Sequence, residues 1–128
     1  MASDTPLAAA VAAAREVELT TFGRTSGRPS RRTIWVTSDA QGRVHIRSGQ
    51  GPSRDWPQNL FADQRAILHV EGRDIAVRAR HVTDRAELLA SSYAVRAKYG
   101  KELPSSKEGE PPTLPEQATF ELVAAHHE

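Results

Sequence analysis

Apolar and polar positions alternate along most of this chain, and helical spacing appears only three times. Residues 7–15 are nearly all alanine. With Thr5 as N-cap and Pro6 at the first helical position, they predict a helix within residues 1–16. Residues 16–22 then alternate, Val17, Leu19 and Thr21 on one face against Glu18, Thr20 and Phe22 on the other, which is a strand. Residues 23–29 form a glycine-proline turn. Residues 33–38 are strongly β-prone and lead through a hairpin turn at 39–42 into a strand at 43–47. After a loop at 48–53, residues 55–62 read as a short helix carrying Trp56, Leu60 and Phe61. Strands at 66–70 and 75–82 flank a tight turn at 71–74. In the second of them Ile75, Val77 and Ala79 face one way, and Ala76, Arg78 and Arg80 the other. Asp84 followed by Glu87 is a capping pattern for a helix that runs to about Tyr99 and stops at Gly100. Leu89, Tyr93 and Ala97 share its apolar stripe. Residues 101–117 hold four prolines and read as a loop, and 118–124 as a last strand.

Six short, hairpin-linked strands with few helices predict a mainly β (α+β) chain, in which an antiparallel barrel of six strands is flanked by helices. At 128 residues this is one domain, spanning 1–128. Apolar residues make up 38 %, so the core is modest, and a homodimer would complete it. The absence of cysteine excludes disulfides, thiolate nucleophiles and cysteine-ligated metals. The longest apolar run, residues 7–14, is too short to span a bilayer, so no integral membrane segment is expected. Asp4, with no early Lys or Arg, argues against a signal peptide, so the expected location is cytoplasmic.

Charge changes the picture. From Arg24 to Arg54 there are seven arginines, no lysine and one acid, Asp39, although the whole chain carries only +1. Arginine offers a planar fork for phosphate or carboxylate, and glycines beside it let backbone N–H groups approach an anion. Thr25, Ser26, Ser30, Ser48 and Ser53 add hydroxyl donors. Alternation sets Arg31, Thr33 and Trp35 on one strand face, an arrangement suited to a flat ligand with an anionic tail. The same residues equally fit a solvated basic edge that prevents sheet aggregation.

Other chemistries find less support. Nucleic acid would need more than 5 % aromatics and a basic surface beyond this stretch. The five histidines show no metal-ligand spacing: His45, His69 and His81 fall on separate predicted strands, and His126 and His127 in the tail. No Gly-x-Ser-x-Gly elbow is present, and no catalytic side chain stands out. Chemistry supplied by an organic cofactor is the natural reading for an enzyme of this composition.

Leu19-Thr-Thr-Phe-Gly-Arg-Thr-Ser-Gly-Arg-Pro29, then Ser48-Gly-Gln-Gly51, Asp55-Trp-Pro-Gln-Asn-Leu-Phe-Ala-Asp63 and the stretch 72–83 are similar to the flavin/deazaflavin oxidoreductases. The chain most resembles the deazaflavin-dependent nitroreductase branch, over about residues 17–100. The resemblance implies a split β-barrel of the pyridoxamine-phosphate-oxidase type. It also implies coenzyme F-420 as cofactor, with FMN as the alternative, and a hydride passed to a conjugated, quinone-like or nitro organic acceptor. A non-catalytic carrier of the same cofactor is the second class. By position, the implied cofactor contacts are Arg24, Thr25 and Ser26; Ser30, Arg31, Arg32, Thr33, Ile34 and Trp35; Arg47, Ser48, Gly49 and Gln50; and Asp55, Trp56, Pro57, Gln58 and Asn59. The chain departs from its relatives at Thr25 and Gln50, where they often carry a basic residue, and at Pro57, where an aromatic is usual. Arg31, Arg32 and Arg47 stand where relatives are often uncharged. Trp35 and Trp56 are candidates to flank the ring, and Tyr93 or Tyr99 to supply a proton, though Tyr93 fits the helix core better.

Overall fold

The computed structural model describes residues 7–12, 14–49, 51–100 and 110–125. The Thr5–Pro6 cap, Gln50, residues 101–109 of the proline-rich loop, His126 and His127 lie outside the described residues. The elements run α1 (Leu7–Ala12), β1 (Val17–Phe22), β2 (Pro29–Ile34), β3 (Val36–Ser38), β4 (Val44–Arg47), α2 (Asp55–Ala62), β5 (Arg65–Val70), β6 (Arg73–His81), α3 (Arg85–Tyr99), α4 (Leu114–Gln117) and β7 (Thr119–Ala124).

The seven strands form one antiparallel sheet in the order β2-β1-β5-β6-β7-β4-β3. β2 and β3 are its two edges, yet only Trp35 separates them in sequence. One residue spans a few ångströms, so the sheet must curl until its edges meet at that corner. The result is an antiparallel half-barrel with the expected flanking helices, built from seven strands where six were expected. The predicted single strand 33–38 is two strands, and pairing with β1 begins earlier, at Pro29. The kink takes backbone groups out of the ladder, and α3 supplies their partners. Val36 N donates to Tyr99 Oη (3.1 Å), Tyr99 Oη donates to Arg15 O (2.7 Å), and Lys98 Nζ donates to Val36 O (2.8 Å).

Alternation sorts β1 and β6 as expected: Val17, Leu19, Val77 and Ala79 are buried. They join Ile46, Leu68, Phe120 and Leu122 in the core, with Val11 from α1 and Leu60 from α2. Burying a side chain of this size stabilises by about 1.5–3 kcal/mol. The turn after β5 is tighter than expected. Glu71 and Gly72 both have positive φ (52° and 75°), the hairpin geometry whose twist matches the flanking strands, so β6 already begins at Arg73.

Two helical expectations need correction. The buried face of α3 is Leu88, Ser91, Val95 and Tyr99, whereas Tyr93 is 67 % exposed. Alanines and serines surround both stripes, so apolar spacing alone does not set the helix's phase; the corner at Trp35 draws Tyr99 inward. The proline-rich stretch also contains α4, whose N-cap Thr113 forms a full capping box with Glu116. In α3 the box is half made. Glu87 N donates to Asp84 Oδ2, but the Glu87 carboxylate turns to other partners.

Candidate cofactor-binding groove

The basic stretch folds into a groove of two basins beside the N-terminal end of α2. The larger, about 480 Å³, is lined by Arg32, Thr33, Ile34, Arg47, Ser48, Gly49, Ser53, Arg54, Asp55 and Trp56. The smaller, about 320 Å³, is lined by Gly23, Arg24, Thr25, Ser26, Arg28, Pro29, Ser30, Asp55 and Asn59. Asp55 borders both. Five arginines therefore face one carboxylate. No ion pair involves Arg24, Arg28, Arg47 or Arg54 among the described residues, while Arg32 lies 3.6 Å from Asp55.

Register decides which arginines reach the groove. Arg32 is paired with Leu19, which points into the barrel, so Arg32 stands on the same side at its mouth. Arg31 is paired with Thr20 and points the other way, where Glu18 accepts from its Nε at 2.5 Å. Of the expected face, Arg31 and Thr33 share a side of β2, but of the three residues Thr33 alone borders the groove. Arg31 is neutralised outside the groove, and Trp35 stacks on Tyr99 with ring centroids 4.0 Å apart and planes 9° from parallel. Trp35 instead borders a separate cavity of about 20 Å³ with Thr37, His45, Arg47, Ser91 and Val95.

Arg47 is the buried cation of the groove. It donates from Nε to Thr119 Oγ1 (2.8 Å), from Nη1 to Ser92 Oγ (2.8 Å) and from Nη2 to Leu88 O (3.1 Å). All three acceptors are neutral, and the buried Glu116 carboxylate acts on Arg47 only through space. Burial lowers its pKa to about 10, and Glu116 opposes that shift, so Arg47 stays charged at neutral pH.

The loop between β1 and β2 is built by its glycines. Gly27 takes φ +72°, and Gly23 N donates to Arg28 O (2.8 Å), while a side chain at Gly23 would meet Ser26 Oγ at 2.8 Å. Buried Asn59 ties this loop to α2. Its Oδ1 accepts from Arg24 N (3.2 Å), and its Nδ2 donates to Thr21 Oγ1 (3.0 Å). Asn59 thus positions Arg24 as well as bordering the smaller basin. Gln58 faces away and donates to Pro52 O (2.7 Å), which ties Pro52 to α2, and Pro57 is buried beneath. Neither borders the groove. Gly51, at φ +89°, approaches α4 so closely that a Cβ would sit 3.1 Å from Leu114 Cβ.

Ser53, Arg54 and Arg28 line the groove without having been among the expected contacts, although their membership of the basic stretch was a usable signal. Neither tyrosine borders it: Tyr99 is committed to the corner, where burial raises its pKa, and Tyr93 faces solvent. Among the described residues, no group of three His, Cys, Asp or Glu could hold a metal ion, and no helix is long and apolar enough to cross a membrane.

Residues 2–104 match the family model described as F420H(2)-dependent quinone reductase. No curated protein matches. Among solved structures, a conserved hypothetical protein from Mycobacterium tuberculosis is similar at TM-score 0.66 and 19 % identity, covering 98 % of this chain and 82 % of the other. A structure described as an F420-H2 dependent reductase is similar at TM-score 0.56 and 15 % identity, covering 86 % and 95 %. A protein described as a putative 5-nitroimidazole antibiotic resistance protein, from Bacteroides thetaiotaomicron, is similar at TM-score 0.63 and 9 % identity, covering 94 % and 78 %. At these identities the likeness is one of fold.

Proposed function

The chain belongs to the F420H(2)-dependent quinone reductase family, and on that premise we propose that it passes a hydride from reduced F-420 to a conjugated, quinone-like or nitro acceptor. It is an oxidoreductase with a split-barrel fold and F-420 as its cofactor. The observation that carries the reading is the net positive charge of the groove, five arginines lining two adjoining basins with Asp55 as the one carboxylate at their border. The donor set fits an elongated anion that carries a flat ring. Guanidinium groups and serine hydroxyls suit phosphate and carboxylate, and Trp56 offers an aromatic wall in the larger basin. FMN, with a single phosphate, would use fewer of these arginines.

When bound, the deazaflavin supplies the hydride. The chain's own residues bind and orient. Arg47, locked by Thr119, Ser92 and Leu88, provides a fixed positive charge at the back of the larger basin. Arg32 and Arg54 stand at its rim with Ser48 and Ser53, and Arg24, set by Asn59, and Arg28 serve the smaller basin. Such preorganised donors need little rearrangement when an anion arrives.

The test is a fluorescence titration with F-420 and FMN, followed by turnover against quinones, nitroaromatics and enones. Micromolar F-420 binding with turnover of one acceptor class is expected. Binding without any turnover would favour the carrier, and binding of neither cofactor would sink the reading.

A further inference from the structure

Asp55 is the discordant residue of the groove. It is the one carboxylate bordering either basin among the described residues, and it borders both. Its Oδ2 lies 3.6 Å from Arg32 Nη2, and the two side chains are 68 % and 53 % exposed. An exposed pair at that separation holds loosely. A carboxylate in an anion groove opposes the ligand twice, because it repels the anion and also occupies an arginine that would otherwise bind it. Its place in the first turn of α2 nevertheless suits a negative charge, since the exposed N–H groups there carry partial positive charge.

We propose that Asp55 is the charge selector of the groove: it divides the basic surface into two basins and holds Arg32, and an extended polyanion that reaches both basins replaces it as the partner of Arg32. The proposal rests on reading the groove as the cofactor site. A ligand with one phosphate occupies one basin and gains nothing by crossing Asp55. A ligand with a phosphate and a carboxylate tail engages both basins, and so meets Asp55 directly. Asp55 therefore weakens long anions, which meet it from both basins, more than short ones, which meet it from one.

Asp55→Asn keeps the shape and removes the charge. At low ionic strength it should bind F-420 roughly threefold to tenfold more tightly, a gain that shrinks at about 0.5 M salt. FMN affinity should change by less than about twofold. In an Arg32→Ala background the gain should fall by about half or more, because no arginine is released. Glu18→Gln removes the same formal charge beside Arg31, outside the groove, and should leave F-420 affinity unchanged. Calorimetry with inorganic tripolyphosphate repeats each comparison without the ring, and circular dichroism checks the fold of each variant. Equal or weaker F-420 binding by Asp55→Asn, with normal binding by the parent, overturns the selector and leaves the cofactor reading standing. An equal gain in Glu18→Gln reduces the effect to net charge and also overturns it. If the parent binds neither F-420 nor FMN, the cofactor reading falls, and the tripolyphosphate series still decides the role of Asp55.

Discussion

Two arginine clusters occupy this small barrel, and they differ in what cancels them. At the β4–β6–α3 junction, Arg80 donates to Glu87 (2.6 Å) and Glu121 (2.7 Å), Arg43 donates to Asp39 (2.7 Å), and buried His45 donates from Nε2 to Glu87 (2.7 Å). Every cation there meets a carboxylate. In the groove, five arginines border one exposed carboxylate, and the most buried of them, Arg47, donates only to neutral acceptors, with the Glu116 carboxylate acting on it through space. The first cluster joins elements of the fold. The second leaves a net positive field, which is what an anionic ligand requires. The number of arginines does not separate the two; their compensation does.

The largest effect should come from breaking the compensated cluster. Burial pushes the Glu87 carboxyl up, but hydrogen bonds from Arg80 and His45 more than offset this and hold it below the usual carboxylate range. Glu87→Ala should cost about 3–4 kcal/mol of stability in denaturant unfolding, with F-420 affinity of the folded protein unchanged. Because the folded pKa is depressed, the stabilisation is present above the unfolded-state value and is lost as pH falls through the folded value. Arg80→Ala should therefore move the acid-unfolding midpoint to higher pH, and an unmoved midpoint would break the assignment.

Arg47→Ala should be next, and it alone should register in both assays. We expect about 2–3 kcal/mol lost in stability, from three severed hydrogen bonds, and at least a tenfold loss in F-420 affinity. A purely structural Arg47 would lower the melting temperature and leave affinity intact. Arg32→Ala should weaken F-420 binding by about 1–2 kcal/mol with no change in melting temperature. Arg31→Ala should be the smallest, under about 0.5 kcal/mol in either assay, because its exposed pair with Glu18 lies outside the groove. Equal effects at Arg31 and Arg32 would dissolve the distinction that register draws between them.

Much of the fold was legible residue by residue. The bounds of α2 coincide with Asp55–Ala62, Gly100 ends α3 with φ +69°, and the alternation of β6 assigns its buried face. Local signals fixed these features: a cap, a left-handed glycine, a period of two. Signals that depend on distant partners were not legible, and one local signal was masked by its neighbours. Thr113–Glu116 carries a full capping box that the surrounding prolines obscured. The stripe of α3 could not be phased, because its alanines and serines tolerate either burial or exposure.

The site divides in the same way. Composition and local motif alone gather positive charge between Arg24 and Arg54, punctuate it with glycines, and carry the chain's resemblance to a deazaflavin-dependent family. Which of those arginines act together follows from contacts between distant parts of the chain. The kink at Trp35, held by Tyr99 and Lys98 from far along the chain, closes the sheet and turns Trp35 away from the groove. Pairing with β1 sends Arg31 outward and Arg32 inward, and α3 and β7 bury Arg47 without a direct ion pair among the described residues. A charge's role depends on what surrounds it, and for these residues the surroundings come from parts of the chain tens of residues away.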